Sequence, residues 1–557
     1  MNILGIIDNH DAGAALIVNN AIVSAVNEER LNRIKNYTGF PYLSIKCLFK
    51  IASLKPEQID KVVVGSAITP SFFLRIFPKL HMSHKRKLSS FGIKLTLYTL
   101  YQVLAKRIDI VNSTDRILSK IILAKKLKKL GIFAPISLLE HHFTHAQGAY
   151  ITSPFREALV ITFDAIGDGL SVTVNSAAGG KIIRLFQQYG SGGAGYHYSR
   201  VTEILGFKPN NHEGKIMGLA AYGNPFIRMK NYFRWDGNNF VCIYKSKRAY
   251  LRLKKFKKED VAASAQNNFE EEVCRFVRFW LIKTGLRNLC LSGGIFSNVK
   301  LNQKIHELDE VDNIYVYPHM GDGGLALGAV VRFAGPGRLS NLYLGPEYTD
   351  AEIERILKKN NLAYEEPEYI EKNIARLLKD GQIVCRFSGR MEFGPRALGN
   401  RSILAPAGDQ GIREILNRSL KRDHFMPFAP VIMKGYADRF CRFIEGAENS
   451  AVNMTISFNC NKDASGTIPA VVHADNTARP QILDERRNPA FYRILSEYHR
   501  LTGAPVLLNT SFNIHEEPVV SSPEDAVRNF KKSGLKYLAI GRFLVKHVSN
   551  LNGKSGQ

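Results

Sequence analysis

Three strand-like segments of this chain each run into a short turn that combines an acidic or hydroxyl residue with glycine. The turns are Asp8-Asn9-His10-Asp11-Ala12-Gly13, Asp164-Ala165-Ile166-Gly167-Asp168-Gly169 and Ser292-Gly293-Gly294-Ile295-Phe296-Ser297-Asn298. Glycine lets backbone N–H groups approach a phosphate closely, and a helix start behind the turn favours negative charge. One such turn is an ordinary strand-to-helix connection. Three of them, each closing a strand, point to an α/β fold with a nucleotide cleft between two related lobes. Asp11, Gly13, Asp168, Gly293, Gly294 and Asn298 are the candidate nucleotide-binding residues of these turns.

The surrounding pattern agrees with that class. Residues 2–27 read as a strand, a glycine turn and two further strands joined at Asn19-Asn20. Residues 42–53 are helical in spacing, and 61–65 is a short buried strand. Strands are also expected at 136–140, 158–164, 288–292 and 314–317, with helices at 141–151 and 266–284. Gly335-Pro336-Gly337 and Leu344-Gly345-Pro346 punctuate the chain and mark a domain boundary near 335–350. A second α/β pattern follows, with a helix at 350–360 and strands at 384–387, 429–433 and 505–508. No internal sequence repeat is visible.

Composition excludes several classes. The 557 residues are 45% hydrophobic, ample for large cores, yet no apolar run approaches the ~20 residues that span a bilayer. The N-terminus lacks a basic leader region and reads as a first strand. Seven cysteines, an odd number with no C-x-x-C pair, argue against a disulfide framework or thiolate zinc site and make a reducing cytoplasm the default. The net charge of +26 is anomalous and invites polyanion partners. It is concentrated: 71–131 holds 14 Lys/Arg against two acids, and 245–258 holds eight more with none. With Leu, Phe and Tyr between its lysines, 71–131 is either a solvated face of a helical insertion or a helix pair lying on an anionic membrane surface.

His141 and His145 stand at i and i+4 of an expected helix, so both imidazoles project from one face at a metal-ligand spacing for Zn, Fe or Mn. Asp164 at a strand end and Asp322 in Gly321-Asp322-Gly323-Gly324 are hard oxygen donors that complete a set. His142 points elsewhere and suits a structural role.

His10-Asp11-Ala12-Gly13-Ala14-Ala15, His141-His142-Phe143-Thr144-His145-Ala146, Phe163-Asp164, Gly321-Asp322-Gly323-Gly324 and Asn211-His212-Glu213-Gly214-Lys215-Ile216-Met217-Gly218 resemble the carbamoyltransferases of antibiotic and nodulation-factor biosynthesis. The resemblance implies a fold of two α/β parts. Residues 1–340 would form a two-lobed domain of the actin/hexokinase/Hsp70 superfamily (Kae1-like), similar to the universal tRNA threonylcarbamoyl-transfer enzyme. Residues 346–557 would form a YrdC/Sua5-like domain that makes carbamoyladenylate. It further implies a transition metal, commonly iron (Fe2+), held by His141, His145, Asp164 and Asp322. His10 would be the general base toward an acceptor hydroxyl, or a hydrogen-bond partner of phosphate.

In the second part, Ser388-Gly389-Arg390-Met391-Glu392-Phe393-Gly394-Pro395-Arg396-Ala397-Leu398-Gly399-Asn400-Arg401 places three arginines in a glycine-rich loop. Guanidinium forks read phosphate and carbonyl oxygens bidentately. By motif, Arg396, Arg479 and Ser511 look like carbamoyl phosphate ligands, with Lys421 or Arg422 assisting. Arg390, Asn509, Thr510 and Asn513 are nucleotide-side contacts or supports. Many relatives carry a basic residue before Pro427-Phe428-Ala429-Pro430, where this chain has Met426; either this is a subfamily variant or Arg422 takes over the contact.

The expected activity is therefore an O-carbamoyltransferase using carbamoyl phosphate, ATP and Mg2+ and a hydroxylated metabolite or glycan acceptor. The alternative is a tRNA-modifying enzyme on the same superfold. Nucleic acid is the weaker partner, because the cations cluster in two segments rather than along the motifs.

Overall fold

The computed structural model describes residues 1–78, 91–190, 193–244, 246–335 and 339–547, and for 91–96 the backbone alone. Lys79, Lys85, Arg86, Lys87 and Lys245 of the basic segments, and Pro336 and Gly337 of the boundary, lie outside the described residues. The chain divides into two compact units: Met1–Leu342 with Phe443–Phe458, and Tyr343–Arg442 with Asn459–Gln557. The first break falls at Leu342–Tyr343. The second part is not continuous, however, since 443–458 returns to the first unit. There Ser450 Oγ donates to the Ile314 carbonyl and accepts from the Val316 amide, and Asn302 Nδ2 donates to the Thr455 carbonyl. Sequence proximity to the second unit gives no sign of these bonds.

The first unit is built on two sheets of one topology. Strands β1 (Ile3–Ile7), β2 (Gly13–Val18), β3 (Ala21–Asn27), β4 (Lys61–Val64) and β5 (Ile136–Leu138) lie in the order β3-β2-β1-β4-β5. The first three pair antiparallel, while β4 and β5 are parallel to β1. Strands β6 (Glu157–Gly167), β7 (Leu170–Ala178) and β8 (Lys181–Tyr189) precede the short ribbon β9 (Arg234–Trp235) and β10 (Phe240–Val241). With β11 (Asn288–Ser292) and β12 (Asn313–Val316), they repeat the pattern as β8-β7-β6-β11-β12. Here too β6, β7 and β8 are antiparallel, and β11 and β12 run parallel to the first strand. A mixed α/β domain of two related lobes is what the glycine turns call for.

Local sequence accounts for the parts. All five residues of β1 are buried, as a strand covered on both faces requires, whereas edge strand β8 alternates exposed and covered positions. Asn19 and Asn20 take φ of 50° and 65°, the left-handed pair a two-residue hairpin turn needs. The helix His141–Thr152 is capped by Glu140, whose carboxylate accepts from the His142 and Phe143 amides at 2.9 and 2.8 Å. Burial would raise that carboxyl, but Arg184 at 2.9 Å, with Lys106 and His142, outweighs it and holds it at about 2. One face of the helix packs Ala146, Ala149 and Tyr150 on Val160 and Cys290 of the second sheet. Full burial of an aliphatic side chain contributes roughly 1.5–3 kcal/mol. The helix also crosses Leu325–Val330 closely at Gly148 and Gly328. A Cβ on Gly328 would stand 2.8 Å from the Thr144 carbonyl oxygen, so glycine permits the approach that carries Asp322 toward His141. The expected helix at 266–284 begins earlier, at Lys258.

The second unit holds one mixed sheet of eight strands. In order these are Tyr364–Glu365, Phe543–Lys546, Tyr537–Ile540, Val384–Phe387, Arg401–Pro406, Val506–Ser511, Ala429–Met433 and Gln481–Leu483. Helices Ile370–Lys379 and Pro489–Thr502 cover one face through Ile374, Leu378, Phe491, Ile494 and Leu495. None of the seven cysteines is in a disulfide. Among the described residues no helix is long and apolar enough to cross a membrane.

Candidate active site

Two strand ends and one helix converge in the first unit. His141 and His145 occupy adjacent turns of the capped helix, Asp164 lies in β6, and Asp322 opens the turn before Leu325–Val330. One ligand atom from each lies within 4.8 Å of the others. Nε2 of His145 is 3.3 Å from Asp164 Oδ2 and 3.7 Å from Asp322 Oδ1; Nε2 of His141 is 3.7 and 3.6 Å from the same atoms. Both imidazole Nε2 atoms are buried without a hydrogen-bond partner, a costly arrangement unless a cation is bound there. Burial would lower His141, but Asp322 and Asp164 overcome it and raise the imidazole to about 9. Against its own burial, the adjacent His141 and His145 imidazoles draw the Asp164 carboxyl well below its ordinary value.

The neighbours fix these donors. Nδ1 of His145 is 2.9 Å from Ser292 Oγ, at the end of β11. The Gly294 amide donates to Asp164 Oδ2 at 3.3 Å. Gly293 has φ 110°, and a Cβ there would fall 2.2 Å from the Phe163 carbonyl oxygen. Gly167 presses on the His141 ring, whose atoms lie 2.1–2.4 Å from where its Cβ would be. These glycines shape the metal-type cluster directly. His142 is held by Thr162 Oγ1 at 2.7 Å and the Leu170 carbonyl at 3.0 Å, and burial lowers it to about 3, so it is a neutral packing residue.

His10 sits in the β1–β2 turn, partly exposed, with Nδ1 3.0 Å from Asp11 Oδ1. The turn is clamped from the opposite strand segment: the Ala12 amide donates to the Tyr37 carbonyl and the Gly39 amide to the Asn9 carbonyl. Asn27 ties it to the cluster, since its Nδ2 donates to the Asp11 carbonyl at 3.1 Å and to the Gly323 carbonyl at 3.2 Å. Gly13 leaves room for that amide, which a Cβ would meet at 2.8 Å. Asn27 Oδ1 lies 2.9 Å from Nε2 of His319, a ring that burial lowers to about 3. Glu213, in the quoted Asn211–Gly218 motif, is raised by burial, offset in part by hydrogen bonds from the Asn210 amide and Ser199 Oγ and least by His10. Sequence reading assigned no role to Asn27, His319 or Glu213. Glu213 lay in a motif that could have flagged it, whereas nothing marked Asn27.

The second unit gathers three guanidiniums. Arg396 lies in the glycine-rich loop, Arg422 follows the helix Gly411–Ser419, and Arg479 follows the strand Thr477–Ala478. Burial lowers Arg396 and Arg422 to about 10. Arg479 is lowered further, by burial and then by the charges of Arg396 and Arg422. Nε of Arg396 and of Arg479 is buried without a hydrogen-bond partner. Three half-buried cations held together call for an anion. Arg422 donates to Thr510 Oγ1 at 2.9 Å and lies 4.5 Å over the Phe428 ring. Glu392 shapes the loop, accepting from the Leu398, Asn400 and Arg401 amides at 2.8, 2.8 and 3.2 Å; sequence reading quoted it without a role.

Other expected contacts are engaged within the protein. The buried Asp168 carboxylate accepts from Ser66 Oγ and the Ala67, Ile68 and His141 amides, each at 2.9 Å, so it supports the helix start and has no free edge for a nucleotide. Asn298 caps its helix at the Leu301 amide and pairs with Gln266. Arg390 donates to the Leu344 and Gly345 carbonyls. Asn509 Nδ2 donates to Gln481 Oε1 and the Ala397 carbonyl, bracing the strand beneath Arg396. Ser511 Oγ donates to Asn513 Oδ1 at 2.6 Å, while Asn513 Nδ2 donates to the Ile514 and Glu517 carbonyls. Lys421 is exposed, at φ 55°.

Residues 2–331 match the family described as carbamoyltransferase N-terminus, and 375–547 match carbamoyltransferase C-terminus. The chain is 32% identical to an uncharacterized protein of Methanocaldococcus jannaschii, covering 98% of this chain and 100% of that one. A second uncharacterized protein of the same organism is 34% identical over 96% of this chain and 98% of its own length. Nodulation protein NolNO of Sinorhizobium fredii is 29% identical, over 96% of this chain and 79% of the relative.

Proposed function

Because the chain belongs to the carbamoyltransferase family, we propose that it is an ATP-dependent O-carbamoyltransferase that forms carbamoyladenylate and delivers the carbamoyl group to a hydroxyl. The observation that carries this reading is the trio Arg396, Arg422 and Arg479, three half-buried guanidiniums whose mutual repulsion an anionic donor relieves. Carbamoyl phosphate and the phosphates of Mg2+-bound ATP fit that chemistry. In the first stage carbamoyl phosphate takes up one water and releases phosphate. A carbamate oxygen then attacks the α-phosphorus of ATP, pyrophosphate leaves, and carbamoyladenylate remains. Arg396 and its neighbours hold the donor, and Thr510 and Asn509 keep the arginines in place.

In the second stage the acceptor hydroxyl gives its proton to the His10 imidazole as its oxygen attacks the carbamoyl carbon. The bond from that carbon to the adenylate oxygen breaks, releasing AMP and a carbamate ester. Asp11, 3.0 Å from His10 Nδ1, stabilises the imidazolium that forms. His141, His145, Asp164 and Asp322 fit a divalent transition metal such as Fe2+: two unpartnered imidazole nitrogens face two carboxylates. When bound, such an ion supplies a Lewis acid for a phosphate oxygen.

The test is pyrophosphate release from ATP in the absence of RNA. Release that requires carbamoyl phosphate is expected. Release indifferent to carbamoyl phosphate, or dependent on tRNA, would defeat the reading.

A further inference from the structure

We propose that the helix pair Phe91–Arg107 and Asp109–Lys128 docks the protein on an anionic lipid surface. Of the 26 large apolar side chains exposed among the described residues, ten lie between Phe73 and Ile121. Scattered single apolar residues are ordinary on a protein surface, but this concentration is not. On the first helix Leu97, Leu100, Leu104 and the following Ile108 recur at intervals of three and four. On the second, Ile110, Ile117 and Ile121 share one face, at 75, 59 and 48% exposure. The buried positions take the opposite side, with Asp115, Ser119, Leu123 and Leu127 facing the protein. The pair is thus amphipathic with its apolar stripe turned outward.

Charge selects the occupant. Arg107, Lys120, Lys125, Lys128 and Lys129 are exposed beside the stripe, against the single exposed acid Asp109. A second copy of the chain would set these cations against their own images and is disfavoured by repulsion. An anionic membrane satisfies both features: its headgroups attract the lysines and its acyl boundary receives the isoleucines and leucines. The mount is rigid, because the inner face is bonded to the first sheet. Arg75 Nη1 donates to Ser119 Oγ at 2.7 Å, while Arg75 Nε and Nη2 grip Asp8 at 3.0 and 3.2 Å.

Flotation of the full chain with vesicles tests this without reference to catalysis. It should rise with phosphatidylserine–phosphatidylcholine vesicles, stay behind with phosphatidylcholine alone, and be released at about 1 M salt, where the Debye length is ~3 Å. Ile117→Glu with Ile121→Glu, or Lys120→Glu with Lys125→Glu and Lys128→Glu, should each lower vesicle partition at least tenfold at an unchanged melting temperature. Ile183→Glu with Leu185→Glu, equally exposed on β8, should have no effect. Absence of flotation at low salt, equal loss in the β8 control, or a concentration-dependent dimer abolished by the isoleucine substitutions would each overturn the proposal.

Discussion

The Ser292 hydroxyl lies 2.9 Å from Nδ1 of His145, and the same oxygen is 3.3 Å from the Met320 carbonyl. A hydroxyl that donates to the carbonyl accepts from Nδ1–H, which leaves Nε2 with its lone pair toward Asp164 and Asp322. A partner at the far nitrogen typically changes metal affinity 10–100-fold. Ser292→Ala should therefore weaken Fe2+ or Zn2+ binding by about one to two orders of magnitude, measured by competition with a chelating dye. Affinity within twofold of the parent would show that Ser292 does not set the tautomer.

The cost of holding three guanidiniums together gives a prediction of opposite sign for stability and activity. Replacing Arg479 with Met removes the most strongly destabilised cation and relieves Arg396 and Arg422. Repulsion among like charges destabilises a compact state, so removing one of the three is stabilising. The ligand-free Arg479→Met protein should melt higher than its parent, yet lose carbamoyl-phosphate-dependent pyrophosphate release. Inorganic phosphate should raise the melting temperature of the parent more than that of the variant.

What the sequence made legible were features carried by spacing: the i, i+4 histidines, the strand-end acids and the arginines around a glycine loop. It could not show which polar side chains already had partners. Asp168, Asn298 and Arg390 have the chemistry of nucleotide contacts, but each is engaged by protein groups distant in sequence. The glycine turns pointed to two related lobes, but the strand order that β1–β5 and β6–β8 with β11 and β12 share was not in any sequence pattern. The return of 443–458 to the first unit rests on bonds such as Ser450 to Ile314, 136 positions apart. The packing of Arg422 over the Phe428 ring, six positions on, was likewise invisible in the spacing of the motif.

Gly167 offers a steric test of the cluster. An added Cβ would overlap the His141 ring at 2.1–2.4 Å, in a wall that includes the capped helix start and cannot yield freely. Overpacking of this kind costs about 1–3 kcal/mol. Gly167→Ala should lower thermal stability by that amount and reduce metal affinity as His141 is displaced. Substitution at Gly180, where nothing lies within 4 Å but φ is +80°, should cost backbone strain without touching metal affinity. Equal metal affinity in both variants would separate His141 from the site.

Arg75 and Asp8 form a buried bidentate pair directly before the His10 turn, and Arg75 also donates to the Ser66 and Ala67 carbonyls at 3.1 and 3.0 Å. Removing one partner strands a buried charge, an effect of about 3–5 kcal/mol. Arg75→Met should thus destabilise strongly, and Asp8→Asn in the same chain should restore part of the loss by removing the orphaned carboxylate. The double variant should still fall short of the parent, because the two carbonyls and Ser119 Oγ lose their donor. Chemical denaturation of the two single variants and the double one measures the coupling. Additivity within about 0.5 kcal/mol would mean that the pair does not act as a unit.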